Sequence, residues 1–96
     1  FMDRLLQGFL HDIPAIFEAL RAAIEAGDAE AIRQSAHRCK GSSANFGAQR
    51  LGELCDELER MGRSKMLTGA EGCLGQIEAE WTRVRTALYS EPHVSA

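Results

Sequence analysis

The chain has 96 residues, enough for one domain with one modest core. Its 45% hydrophobic content excludes a disordered tail, and no apolar run approaches the ~20 residues that a membrane-spanning helix needs. A formal charge of −3 argues against nucleic acid or an anionic membrane as partner, because such binding draws its affinity from an excess of Lys and Arg.

Helical periodicity runs through the whole sequence. Met2, Leu5, Leu6, Phe9, Leu10 and Ile13 recur at helical intervals and predict a short N-terminal helix. Ile13, Ile16, Phe17, Leu20 and Ile24 predict a second helix, with Asp12 as its cap, Pro14 in its first turn and Gly27 at its end. Asp28 then caps a third segment, in which Ala29, Ile32, Ala36, Cys39, Ser43 and Phe46 form one seam. That seam passes straight through Gly41, Ser42 and Ser43, so the helix is expected to continue to about Asn45 and to turn at Phe46 and Gly47. Leu51, Leu54, Cys55, Leu58 and Met61 make the next amphipathic helix, closed by Gly62. Thr68 to Glu71 fits a capping box for a last helix that buries Cys73, Leu74, Ile77, Trp81, Val84 and Leu88. Gly69, Gly72 and Gly75 near its start mark either close packing or fraying.

No stretch alternates with the period of a strand, so the fold is predicted to be all-α. Short links favour antiparallel neighbours, giving an up-and-down antiparallel four-helix bundle with a short extra N-terminal helix. Residues 1–90 are expected to form this domain and 91–96 a C-terminal tail. The opening "FMDRLL" reads as the start of an excised fragment, so a longer native chain is expected. Cys39, Cys55 and Cys73 are widely spaced within apolar patterns, which suits buried hydrophobes in a reducing compartment better than a disulfide framework. With no CxxC and no helical His-Cys pair, they are not expected to bind a metal.

The run Ser35 to Leu51, "SAHRCKGSSANFGAQRL", poses a chemical question. Opposite its seam, Glu30, Arg33, Gln34, His37, Lys40, Gly41 and Ala44 share one exposed stripe. His37 therefore faces water with Arg33 and Lys40 one turn to either side. Gly41 costs about 1 kcal/mol of helix stability relative to Ala, and clearance for a partner beside the imidazole is the simplest reason for it. A neutral imidazole is a competent nucleophile, the flanking cations disfavour the imidazolium, and the same cations would offset an incoming phosphoryl charge. His11 and His93 read as ordinary surface residues. Phe9 or Ile13 could extend a docking surface around His37.

The nucleotide machinery is missing. "KGSS" reverses the order of a Walker-type Gly-Lys-Ser and follows no strand, and no set of carboxylates is placed to hold magnesium beside His37. The domain is expected to accept a phosphoryl group but not to take one from ATP, so the donor must bring the metal.

"AHRCKGSSANFGAQRL" resembles the signature of histidine-containing phosphotransfer (HPt) domains of multistep two-component relays. There a histidine is followed at the third position by lysine or arginine and at the fourth by glycine. The resemblance spans almost the whole chain, from "FLHDIP" to "IEAEW", with Cys39 in place of a more usual leucine. It implies His37 as phosphoacceptor, Lys40 as the neutralising cation and Gly41 as clearance; Arg33, Gln34 and Ala44, which share the exposed stripe, are candidate partner contacts. It also implies transfer between aspartates of response-regulator receiver domains. Magnesium would sit in the receiver, and no cofactor or metal in this domain. A cytoplasmic monomer is expected, either free or as the C-terminal part of a membrane-anchored hybrid sensor kinase. The alternative is a non-catalytic helical docking or dimerisation module, against which the Lys40 and Gly41 spacing speaks. The acceptor region of a true histidine kinase fits poorly, because Arg38 rather than an acidic residue follows His37 and no proline is near.

Overall fold

A computed structural model describes residues 2–89, with Met2, Asp3, Leu5 and Tyr89 described by backbone alone. Phe1, the predicted tail 91–96 and His93 lie outside the described residues. Among those described there are four helices and no strand: α1 (Met2–Ala26), α2 (Ala29–Asn45), α3 (Gln49–Ser64) and α4 (Ala70–Tyr89). Each helix packs on the next and α1 closes onto α4, giving the four-helix bundle, in which α2 and α3 share the most extensive interface. No described helix is long and apolar enough to cross a membrane.

The separate N-terminal helix is not found, because it is the first half of α1. Pro14 lies inside this 25-residue helix and Asp12 caps nothing. A proline in a helix interior costs about 3 kcal/mol, whereas each fully buried large apolar side chain contributes about 1.5–3 kcal/mol. Phe9, Ile13, Ile16, Phe17 and Leu20 are all buried along one unbroken stripe, so burial outweighs the interruption. Pro14 itself is exposed, on the face where its missing N–H leaves a carbonyl to water. Phe9 and Ile13, candidates for an exposed docking edge, are 4% and 0% exposed and belong to the core. Phe9 stacks on Phe46 at 4.3 Å and meets Trp81 edge-on at 5.2 Å, tying α1, the end of α2 and α4 together.

The α1–α2 junction follows the sequence. Gly27 takes a left-handed φ of 66°, and its N–H and that of Asp28 donate to the carbonyls of Ile24 and Ala23. The Asp28 carboxylate then accepts from the Ala31 N–H at 3.1 Å and opens α2. The predicted seam of α2 runs on through the glycine-serine run: Ile32, Ala36, Cys39 and Ser43 are fully buried, and Ser43 donates its hydroxyl to the Cys39 carbonyl at 2.8 Å.

Further along the chain three expectations change. Gly62 does not end α3, which continues to Ser64 and stops at Lys65 in a left-handed conformation. A Cβ on Gly62 would lie 2.7 Å from both the Ala29 carbonyl oxygen and the Arg33 nitrogen, so the glycine lets two helix backbones touch. The ladder of α4 opens at Gly69, whose carbonyl accepts from the Cys73 N–H, and not through a box from Thr68. Around Gly72 and Gly75 there is open space, which removes close packing as their reason. The three cysteines are buried as expected, but Cys39 and Cys55 face each other across the α2–α3 seam, paired as a disulfide with Cα atoms 6.1 Å apart. Helical periodicity says which face a residue occupies, not which residue of the next helix stands opposite it.

Candidate functional site

His37 projects from α2 on the side opposite the Ile32–Cys39 seam, and its side chain is 65% exposed. What the helix alone does not reveal is its neighbour on α3. Nδ1 of His37 lies 3.1 Å from Oε2 of Glu59, a carboxylate only 3% exposed. An ionised carboxylate can only accept, so Nδ1 carries the hydrogen and the lone pair of the neutral ring sits on Nε2, on the side away from Glu59.

Glu59 is ionised for reasons visible around it. Burial pushes its carboxyl up, but the close contacts of Lys40 and His37, together with their charges, more than offset this and leave it below the ordinary glutamate value. Nη2 of Arg63 donates to Oε2 at 2.8 Å. Lys40 Nζ stands 3.2 Å from Oε1 as an ion pair without hydrogen-bond alignment, so Oε1 is a buried oxygen with no hydrogen-bond donor. The same ammonium donates to Asp56 Oδ1 at 3.0 Å. This bond, with the contact to Glu59, raises the Lys40 pKa, and the same bond lowers that of Asp56. Arg60 contacts Asp56 in turn at 3.2 Å.

Arg33 and Gln34 belong to a second cluster. Both Nε and Nη2 of Arg33 donate to Glu30, at 2.9 and 2.6 Å, and Gln34 Nε2 donates to the same carboxylate at 3.1 Å. The hydrogen bond from Arg33 is the main reason the Glu30 pKa falls to about 2. Both cations flanking His37 are paired, Arg33 with Glu30 and Lys40 with Asp56 and Glu59. Gly41 is exposed with nothing within 4 Å of where its Cβ would stand. Ala44 is exposed too and, with Lys40, Gly52, Asp56 and Arg60, lines an open groove of about 730 Å³ that leads from Lys40 towards the 46–48 turn and does not include His37. His11 is exposed, as an ordinary surface histidine would be.

Glu59 is the residue the sequence reading passes over, although a signal existed. It lies one turn after Cys55 and three residues before Gly62, on the inward edge of α3, where an unpartnered carboxylate is unfavourable. A charge at such a place needs a partner on the facing helix.

On this bundle α2 and α3 set an exposed imidazole against a buried carboxylate, with Lys40 and Asp56 alongside. The Hpt domain family matches residues 4–87, and the chain belongs to that family. It is 28% identical over 91 residues to histidine-containing phosphotransfer protein 2 of Arabidopsis thaliana, a match that covers 92% of this chain and spans 58% of that protein's length. It is also similar to the crystal structure of histidine-containing phosphotransfer protein B (HptB) from Pseudomonas aeruginosa PAO1, with 40% identity and a TM-score of 0.88 over 91% of this chain and 76% of that one.

Proposed function

We propose that this domain is a phosphoryl carrier in a two-component relay, with His37 as its acceptor. The observation that carries the reading is the contact between His37 Nδ1 and the buried Glu59 carboxylate in a chain of the Hpt family. With Nδ1–H given to Glu59, the Nε2 lone pair is free to attack the phosphorus of an aspartyl phosphate on a receiver domain. The N–P bond forms as the P–O bond to the aspartate breaks, and the aspartate leaves as a carboxylate. As the ring becomes cationic on phosphorylation, the Glu59 carboxylate stabilises it. Lys40, Arg60 and Arg63 set against Asp56 and Glu59 leave one positive charge in excess to receive the phosphoryl oxygens. The reverse sequence delivers the group to another receiver aspartate.

In this reading the receiver supplies magnesium and most of the transition-state stabilisation, and the domain binds no cofactor and has no autokinase activity. Gly41, Arg33, Gln34 and Ala44 lie on the face that docks the receiver. One histidine needs one copy, so the domain works as a monomer in the cytoplasm, alone or joined to a hybrid sensor kinase. The test is incubation with a receiver domain loaded from acetyl phosphate in the presence of magnesium. Label should pass to the protein as an acid-labile, base-stable product and be absent from His37→Gln. Label retained by that variant, with the same stability to base, would place the acceptor elsewhere.

A further inference from the structure

We infer that Cys39 and Cys55 are a reversible thiol–disulfide site whose closure locks α2 to α3 beneath His37 and speeds transfer at that histidine; the effect on transfer rests on the phosphoacceptor reading above. The pair lies at the centre of the candidate site without belonging to it. Cys39 is followed by Lys40 and stands two residues after His37, while Cys55 is followed by Asp56 and stands one turn before Glu59. The layer that joins the two sulfurs is therefore adjacent to the layers that join Lys40 to Asp56 and His37 to Glu59.

A Cα separation of 6.1 Å falls within the span of about 4.4–6.8 Å that disulfides bridge, so the two cysteines stand within bonding reach across the seam. Bonded sulfurs sit about 2.05 Å apart, whereas non-bonded heavy atoms keep roughly 3.5–4.0 Å. Opening the bond leaves two non-bonded sulfurs to be accommodated in a layer where both side chains are fully buried. Towards the far end of the same seam Gly62 already holds the α3 backbone against Ala29 and Arg33, leaving little room to yield. Without its covalent tie the thiol form holds α2 to α3 less firmly around the cysteines, where Glu59 reaches His37. A less firmly held Glu59 orients the imidazole for less of the time.

Closure is a two-electron oxidation, and oxidised glutathione is a sufficient oxidant by class. One cysteine thiolate attacks a glutathione sulfur and releases the first glutathione thiolate. The second cysteine then attacks the mixed disulfide and releases the other, the two cysteine protons passing to the leaving thiolates. Because both cysteines have 0% exposure, exchange must await local opening of α2 from α3 and will be slow. Cys73, buried on α4, remains the free thiol in the closed form.

The whole protein, equilibrated across glutathione buffers from reducing to oxidising, tests this without any variant. Alkylation and mass analysis should count three free thiols falling to one, with Cys39 and Cys55 recovered in one cross-linked peptide. Closing a loop over a separation of 16 residues should raise the thermal midpoint by about 10 °C or more. Phosphoryl uptake from a loaded receiver should be at least threefold faster for the closed form, and this redox response should vanish in Cys39→Ala and in Cys55→Ala. Three free thiols at every buffer ratio would overturn the site, and equal uptake by the two forms would overturn the control. If neither form takes label while the thiol count still falls to one, the phosphoacceptor reading and the effect on transfer fail together, and the lock stands on its thiol count and thermal shift.

Discussion

At 3% exposure, Glu59 holds a negative charge where burial alone would favour the neutral acid. The Lys40 ammonium paired with it and the N–H of His37 reverse that preference, so its folded pKa lies below the ordinary glutamate value of about 4.3. For a carboxyl lowered in the folded state, the unfolded chain binds the proton more readily. The stabilisation is then fully present above the ordinary value and is lost as pH falls through the folded one. Its partners limit the size of the effect, because His37 is 65% exposed, Arg63 60% and Lys40 38%, and all three regain water if the carboxylate is removed. Glu59→Gln keeps an oxygen that can accept from Nδ1 but loses the charge. It should unfold more easily than the parent at pH 7, by about 1–3 kcal/mol for hydrogen bonds to a charged group. The difference between the two urea midpoints should shrink as the pH drops below about 4. A difference that stayed constant down to pH 3 would show that ionisation of Glu59 is not its source.

Helices α2 and α3 act as one unit, and a glycine at one end of their seam separates helix propensity from packing. In an open helix Gly→Ala gains about 1 kcal/mol, and Gly72→Ala in α4, with nothing within 4 Å of the added carbon, should show that gain. Gly62→Ala should have the opposite sign, a loss of about 1–3 kcal/mol, because its Cβ would meet backbone atoms at 2.7 Å that no side-chain rotation can move. Urea midpoints of the two variants, measured side by side, decide between the explanations, and a stabilised Gly62→Ala would mean the helices separate freely. The same contrast marks what was legible in the sequence. The Gly27–Asp28 junction and the seam of α2 through Ser43 could be read, since each depends on residues near one another in the chain. Along the chain Gly62 looks like a helix end and Cys39 and Cys55 like independent buried residues, because the facing register of two helices is a tertiary fact. His37, Lys40 and Gly41 could be placed on one stripe from α2 alone, whereas Glu59, Asp56 and Arg63 enter the site only through that register.

On the scale of the whole bundle, the core buries the inward stripe of each helix and leaves the α2 stripe around His37 uncovered. Along that stripe Lys40 is held by two carboxylates and Gln34 by Glu30, so the polar groups there are organised by the protein itself. Gly41 is different. It lies in the interior of a 17-residue helix, its φ is not positive, and an added Cβ would meet nothing within 4 Å beyond the backbone of its own helix. Replacing it should therefore leave the fold intact and raise helix stability by up to about 1 kcal/mol, so no internal demand keeps it glycine. In the function proposed above, the remaining demand is external, a receiver surface that would have to bring its aspartyl phosphate within bonding reach of Nε2 one turn away. Gly41→Gln should keep the parental helical signal by circular dichroism, unfold at the same or slightly higher urea concentration, and accept the phosphoryl group at least tenfold more slowly. Gly41→Ala, with a single added carbon, should fall between the two. A Gly41→Gln protein that was labelled at the parental rate would show that the docked receiver stays clear of this part of α2, and the face presented to the partner would then have to be sought towards α3.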